Sequence, residues 1–184
     1  MFDRQGNRKY LNGAERRAFL RVAKNEPDAL RRAFCLTLFN TGCRISEALN
    51  VTAERVDLAN KAVVFETLKQ RKRGHFRAVP VPDSLVELLR QVIPPQASAR
   101  VWNFSRPTAY RLVKECMAKA AITGGMASPK GLRHGFAVAC LAQKIPLTTV
   151  KKWLGHARLE TTAIYLEVSG DEERELAKRL WTKD

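Results

Sequence analysis

The chain has 184 residues, 45% of them hydrophobic, and its 33 Lys+Arg against 18 Asp+Glu give a formal net charge of +15. That length supports one ordinary domain with a core of its own, and the apolar content excludes a disordered chain. No apolar run approaches the ~18 residues of a membrane span, and the opening MFDRQGNRKYLNG lacks the apolar stretch of a secretory signal; the expectation is a cytoplasmic protein without a membrane partner.

Helix signals dominate the chain. LNGAERRAFLRVA offers Asn12 as a cap and apolar spacing at Ala18, Phe19 and Val22. PDALRRAFCLTLFNTG starts near Pro27 and stops at Gly42, and a short helix, RISEALN, follows. Residues 63–65 and 76–81 are β-rich runs flanking a basic turn that contains Gly74, which predicts an antiparallel hairpin. DSLVELLRQV is helical again and PPQAS is a loop. Then come PTAYRLVKECMAKAAI, a helix capped by Ser128 with Pro129 in its first position, and PLTTVKKWLGH, which closes at Gly155. LGHARLETTAIY follows, with Tyr165 expected on a helix. In the last stretch, SGDEERELAKRLW, Ser169 and Glu172 fit a capping box. The fold class is mainly α with a small antiparallel sheet, an α+β domain. We read one domain over 1–184, with a flexible N-terminus at 1–10 and a C-terminal helix at 170–184.

Neither the cysteines (Cys35, Cys43, Cys116, Cys140) nor the histidines (His75, His134, His156) show metal-ligand spacing. The thiols read as reduced and mostly core, and no metal or cofactor is expected. The charge is uneven. Residues 88–159 carry twelve Lys/Arg and one acid, Glu115, whereas from 167 onward six acids face four bases. A basic body with an acidic tail suggests a polyanion-binding surface; charge alone does not separate DNA, RNA and an anionic membrane.

Four stretches look unlike ordinary packing. In TGCRISEAL, Arg44 opens a helix and Glu47 lies on the same face, able to hold the guanidinium; alone, this also reads as a surface ion pair. The hairpin segment LKQRKRGHFR places Lys69, Arg71, Lys72, Arg73 and Arg77 within nine residues, a ribbon able to reach a nucleic-acid groove or backbone. In SPKGLRHGFA, Lys130, Arg133 and His134 crowd a positive helix end, where cations are unfavourable unless aimed at an anion. LGHARLETTAIY places His156 in a turn and Tyr165 nine residues on. Two arginines, lysines, a histidine and a tyrosine suit phosphoryl transfer: arginines match phosphate oxygens bidentately, and a tyrosine can serve as a covalent nucleophile.

With these boxes in this order and a basic hairpin between the first two, the sequence resembles the tyrosine recombinases, the phage integrase and Xer-type family, over nearly the whole chain. TGCRISEAL resembles the first arginine box, SPKGLRHGFA the second, and LGHARLETTAIY the Leu-Gly-His to Tyr signature. The intervals from Arg133 to His156 and from His156 to Tyr165 match the family's spacing. The resemblance implies that fold and a site-specific recombinase acting on double-stranded DNA without metal or ATP. It implies Tyr165 as nucleophile of a 3′-phosphotyrosyl link, Arg44 and Arg133 as phosphate clamps, and His156 as a phosphate donor. It implies Lys69 as the acid for the 5′-leaving group, with Lys72 as fallback, and Glu47 as a buttress. Arg71, Lys72, Arg73, Arg77 and His134 are expected to contact DNA. It further implies a tetramer on DNA through the C-terminal helix, with packing of that helix on its own core as the alternative, and accessory DNA-binding proteins. Two departures stand out. Lys130 occupies the position where the second box normally begins with His, and few residues precede the first helix, where the family carries a separate DNA-clamping domain. Lys130 motivates an alternative, a catalytically impaired DNA-binding regulator; a topoisomerase-like relaxase shares the same chemistry.

Overall fold

The computed structural model describes residues 2–67, 74–166 and 178. Its first helix, α1 (Gly13–Lys24), begins where the sequence says. The Asn12 side chain accepts the Glu15 amide and the Glu15 carboxylate accepts the Asn12 amide, two otherwise orphaned donors satisfied reciprocally. The residues before α1 form a turn of their own. The Asp3 carboxylate accepts the amides of Gln5 and Asn7, Arg8 pairs with Glu15, and Tyr10 is buried. The short polar side chain of Asp3 replaces the backbone partners that a terminus otherwise lacks.

The second helix, α2 (Ala29–Thr41), starts just after Pro27, is capped by Asp28 and ends on Gly42 in the left-handed region at φ 60°. It is the central element. Seven of its residues, from Ala33 to Thr41, are buried, and it packs against α1, against α4 (Asp83–Val92), against α5 (Arg106–Lys119) and against α6 (Pro129–Ala142). Between α2 and α4 lie α3 (Ile45–Leu49), a single 3-10 turn and the sheet. Two more helices, α7 (Leu147–Leu154) and α8 (Glu160–Ala163), complete the described chain. No described helix is long and apolar enough to cross a membrane.

The sheet has three antiparallel strands in the order β1 (Val56–Asp57), β2 (Ala62–Glu66), β3 (Phe76–Pro80). The hairpin β2–β3 is the one the sequence predicts, with Phe65 opposite Arg77 and Val63 opposite Val79. The two-residue β1 is an addition too short to carry a period-2 signal. Along β3 the pattern alternates, so Arg77 and Val79 face inward while Phe76, Ala78 and Pro80 face out. The hairpin tip, with Lys69, Arg71, Lys72 and Arg73, lies outside the described residues, as does the expected C-terminal helix apart from Lys178.

The buried side chains form two clusters. The larger runs from Leu11 through α2, the sheet and α5, with Phe34 meeting Trp102 and Phe104 edge to face. The smaller lies under α6 and α7 and includes Tyr10, Phe136, Val150, Leu154 and Tyr165. All four cysteines are free and buried, as expected.

Candidate active site

Two helix ends converge on one cation pocket. Gly42 ends α2 and Gly155 ends α7, both left-handed (φ 60° and 66°), the conformation that lacks a steric penalty only for glycine. A Cβ on Gly42 would lie 2.4 Å from the Phe136 ring, so the α2 turn also needs glycine for close approach to α6. The carbonyls exposed at these two ends point at Arg133. Its guanidinium donates to Gly42 O at 2.8 Å and to Leu154 O at 2.7 Å. Helix C-termini carry partial negative charge, which partly offsets the cost of burying the cation. Burial still lowers the Arg133 pKa to about 10, with Arg44 adding to the effect, and the side chain keeps its charge at neutral pH.

Glu47 on α3 is the anion of this pocket. Its side chain is fully buried. It accepts from Arg44 at 2.6 Å and from Arg77 at 2.6 Å, and lies 4.0 Å from Arg133. Burial pushes its pKa up, but Arg77 and then Arg44 outweigh that, so the net shift is downward and the carboxylate stays ionised. Three guanidinium groups thus share one carboxylate, leaving an excess of positive charge in a half-enclosed space. Arg77 was expected to face DNA beside the hairpin tip. It is instead turned inward by strand parity, donating to Trp153 O and Thr67 Oγ1 as well as Glu47, with its guanidinium over the Phe65 ring. It ties the sheet to α3 and α7.

His156 and Tyr165 close the pocket. Arg133 donates to His156 Nε2 at 3.0 Å; because arginine has no acceptor, this nitrogen carries no proton, and Nδ1–H donates to Thr162 Oγ1 at 2.9 Å. Burial, then Arg133 and Arg44, lower the His156 pKa to about 3, consistent with that neutral form. The His156 ring lies parallel to the Tyr165 ring, with centroids 6.3 Å apart. The Tyr165 hydroxyl is 2.8 Å from His134 Nδ1. Burial raises the phenol's pKa against the downward pull of Arg133 and Arg44.

Tyr165 lies in the turn just after α8 rather than on a helix. Tyr165 is 3% exposed, Ile164 39% and Leu166 62%: the one-turn helix ends so that the phenol points in and its flanks point out. His134, expected at the DNA surface, instead holds the Tyr165 hydroxyl. Lys130, at the second position of α6, is exposed. Sequence reasoning missed Thr162 and Thr67; both are buried hydroxyls with a charged or imidazole partner, and nothing local distinguishes them from ordinary threonines. Beside the pocket, between β3 and α7, a cleft of about 390 Å³ opens, with His75, Lys151, Lys152 and His156 on its walls.

Arg44, Glu47, Arg133, His156 and Tyr165 are therefore brought together, while Lys69 and the hairpin tip fall outside the described residues. Residues 9–172 match the family described as the phage integrase family. The chain is 30% identical over 159 residues to tyrosine recombinase XerA of Pyrococcus furiosus, covering 80% of this chain and 54% of that protein. In structure it resembles a crystal structure of XerA recombinase, with a TM-score of 0.77 and 24% identity, over 92% of this chain and 64% of that one. It also resembles XerH site-specific recombinase bound to palindromic difH substrate in a post-cleavage complex, with a TM-score of 0.74 and 25% identity, over 98% of this chain and 56% of that one. The chain spans about half the length of the curated relatives it matches. On the breadth of the family match, this chain belongs to the phage integrase family and carries the tyrosine recombinase catalytic-domain fold.

Proposed function

We propose that the chain acts as the catalytic domain of a site-specific DNA recombinase, cutting and rejoining strands through Tyr165. The observation that carries this reading is the cation excess. Arg44, Arg77 and Arg133 share the single carboxylate of Glu47, and a tyrosine hydroxyl is held beside them by the His134 imidazole. A scissile phosphate entering the pocket supplies the missing negative charge. Arg133 then exchanges its contact with His156 Nε2 for a non-bridging oxygen, and Arg44 takes the other. Such fixed donors stabilise the charge of a phosphorane more than that of the ground state. Tyr165 Oη attacks phosphorus, the bond to the 5′-oxygen breaks, and a 3′-phosphotyrosyl link keeps the energy of the phosphodiester for the reverse reaction. The leaving oxygen takes its proton from Lys69, the assignment that the family resemblance supplies.

Double-stranded DNA is the partner this reading requires. Lys151 and Lys152, on the cleft beside the pocket, suit its backbone. Assembly into a tetramer through residues 170–184, the help of accessory DNA-binding proteins, and DNA contacts by Arg71, Lys72 and Arg73 belong to the same proposal. A second reading, a DNA-binding regulator with impaired catalysis, is favoured by Lys130.

A nicked duplex that traps the cleaved state separates the two. The recombinase reading expects a covalent protein–DNA band with the wild-type chain and none with Tyr165→Phe. Salt-sensitive DNA binding with no covalent product on any nicked site recovered from the host genome supports the regulator instead.

A further inference from the structure

The proposed cleavage leaves one proton without a destination. Tyr165 must lose it as Oη bonds to phosphorus, and position 130, where the second box normally begins with His, holds a lysine. An ammonium group has three donors and no acceptor, so Lys130 as a cation has nowhere to put it. Arg44 and Arg133 are likewise donors only, and His156, whose ring lies parallel to that of Tyr165 with centroids 6.3 Å apart, does not meet the hydroxyl, whereas His134 Nδ1 does.

We propose that His134 is the general base of the cleavage step, its Nδ1 taking the Tyr165 proton directly. This rests on the recombinase reading above. The imidazole nitrogen is 2.8 Å from Tyr165 Oη, inside the range a base needs to take a proton without an intervening water. The two rings meet at a centroid distance of 5.6 Å, tilted by 52°, so the contact runs through the ring edge that carries the nitrogen. His134 immediately follows Arg133 on α6, a 14-residue helix with Ser128 as its cap and most of its length buried. One rigid element therefore carries both a phosphate clamp and the base, and their relative placement does not depend on a loop.

The protonation state agrees. Besides Tyr165, the titratable and charged groups that act on His134 are Lys130 and Arg133 of α6, Lys9 of the N-terminal turn, and His156 across the pocket, and all of these are cationic or neutral. Burial first, and then Lys130 and Arg133, bring the His134 pKa down to about 4, so the ring is neutral and open to a proton near pH 7. A base this weak takes the proton only as negative charge builds on the neighbouring phosphorane, which raises the imidazole's proton affinity. Proton transfer is thereby tied to formation of the O–P bond. In the balanced step, the Tyr165 Oη–P bond forms as its proton moves to His134 Nδ1. The P–O5′ bond breaks with its electron pair going to oxygen, and that oxygen takes a proton from the general acid. In rejoining, the 5′-hydroxyl returns its proton to the general acid as its oxygen bonds to phosphorus, and the P–Oη bond breaks as the imidazolium returns its proton to Tyr165.

The test is the rate of adduct formation on a nicked duplex whose sequence is recovered from phosphotyrosyl adducts of the wild-type chain on sheared host DNA, measured at saturating DNA. His134→Ala and His134→Asn are both expected to slow it by about 10²–10⁴-fold. Asparagine keeps a polar atom near Nδ1 and can still orient the phenol, so recovery of the wild-type rate in His134→Asn would reduce His134 to a positioning role and overturn the proposal. A duplex with sulfur at the 5′-bridging position needs no proton on its leaving group, so the His134 defect is expected to persist on it; its disappearance there would place His134 on the leaving-group side and overturn the proposal. Between about pH 7 and 9 the His134→Ala rate is expected to climb by about tenfold per unit, as the phenolate fraction grows, while the wild-type rate stays nearly flat. Parallel profiles, or a loss of this size in Lys130→Ala with His134→Asn unaffected, contradict it. A wild-type chain that yields no adduct at all fails earlier, at the recombinase reading itself.

Discussion

The cation pocket and the tyrosine segment are built on different terms. The pocket around Arg133 is held by backbone: the ends of α2 and α7 supply the carbonyls, and the fully buried Glu47 links α3 to the sheet through Arg77. The segment with Tyr165 rests on a one-turn helix and two side-chain hydrogen bonds, one between His156 and Thr162 and one between the Tyr165 hydroxyl and His134 Nδ1, with Ile164 and Leu166 exposed on either side. One half is fixed by the fold, whereas the other is docked onto it. This division fits the proposed chemistry, in which the phosphate site must be rigid and the nucleophile must move between a phenol and a phosphotyrosyl state.

The largest way to break the comparison is Glu47→Gln. Removing the charge leaves three buried or half-buried guanidinium groups without a counter-ion, and unfolding by urea should show a loss of about 3–5 kcal/mol. A loss under about 1 kcal/mol would mean that the pocket is not a single electrostatic unit. Next is Gly155→Ala. It forces a side chain into φ 66° with its Cβ 2.9 Å from the Arg77 guanidinium, so about 1–2 kcal/mol of stability should go, and activity should fall with it because α7 presents Leu154 O to Arg133. Thr162→Val sharpens the contrast from the other side. It removes the partner of His156 Nδ1 at a cost of about 1 kcal/mol, and should slow adduct formation more than it alters the urea midpoint. Equal effects would place Thr162 in the rigid half.

The most gradual effect is that of pH. In the unfolded chain His134 and His156 bind protons near 6.5, but in the folded protein only near 4 and 3. Acid therefore favours unfolding: their contribution is complete above pH 6.5 and declines as pH falls through those lower values. Glu47, held below its ordinary value, adds a further loss under about pH 4.5. Thermal melting followed from pH 7 to 4 should show a steadily falling midpoint, and His134→Ala should flatten the upper part of that slope.

Much of this was legible in the sequence because it is written locally. Asn12 and Ser128 mark helix starts, Gly42 and Gly155 mark stops, and the β-rich runs around Val63 and Val79, flanking a basic turn with Gly74, mark the hairpin. The boxes themselves were legible for the same reason, since each positions its residues within a turn or two. Arg77 was misread although the signal existed: counting by two from Val79 puts it on the buried face. Tyr165 falls off the expected helix because α8 lasts only one turn and ends at Ala163, with no glycine or proline in the sequence to mark the stop. The contact between His134 and Tyr165 joins residues 31 positions apart, and no periodicity encodes it; it exists only once α6 and the segment after α8 are packed together.

The most direct measurement of the central claim is to digest a trapped protein–DNA adduct and locate the nucleotide by mass spectrometry. The account predicts a 3′-linked nucleotide on the phenolic oxygen of Tyr165, in the peptide that follows Arg158. A nucleotide on Tyr10 or Tyr110, on a serine, or joined through its 5′-phosphate would contradict it.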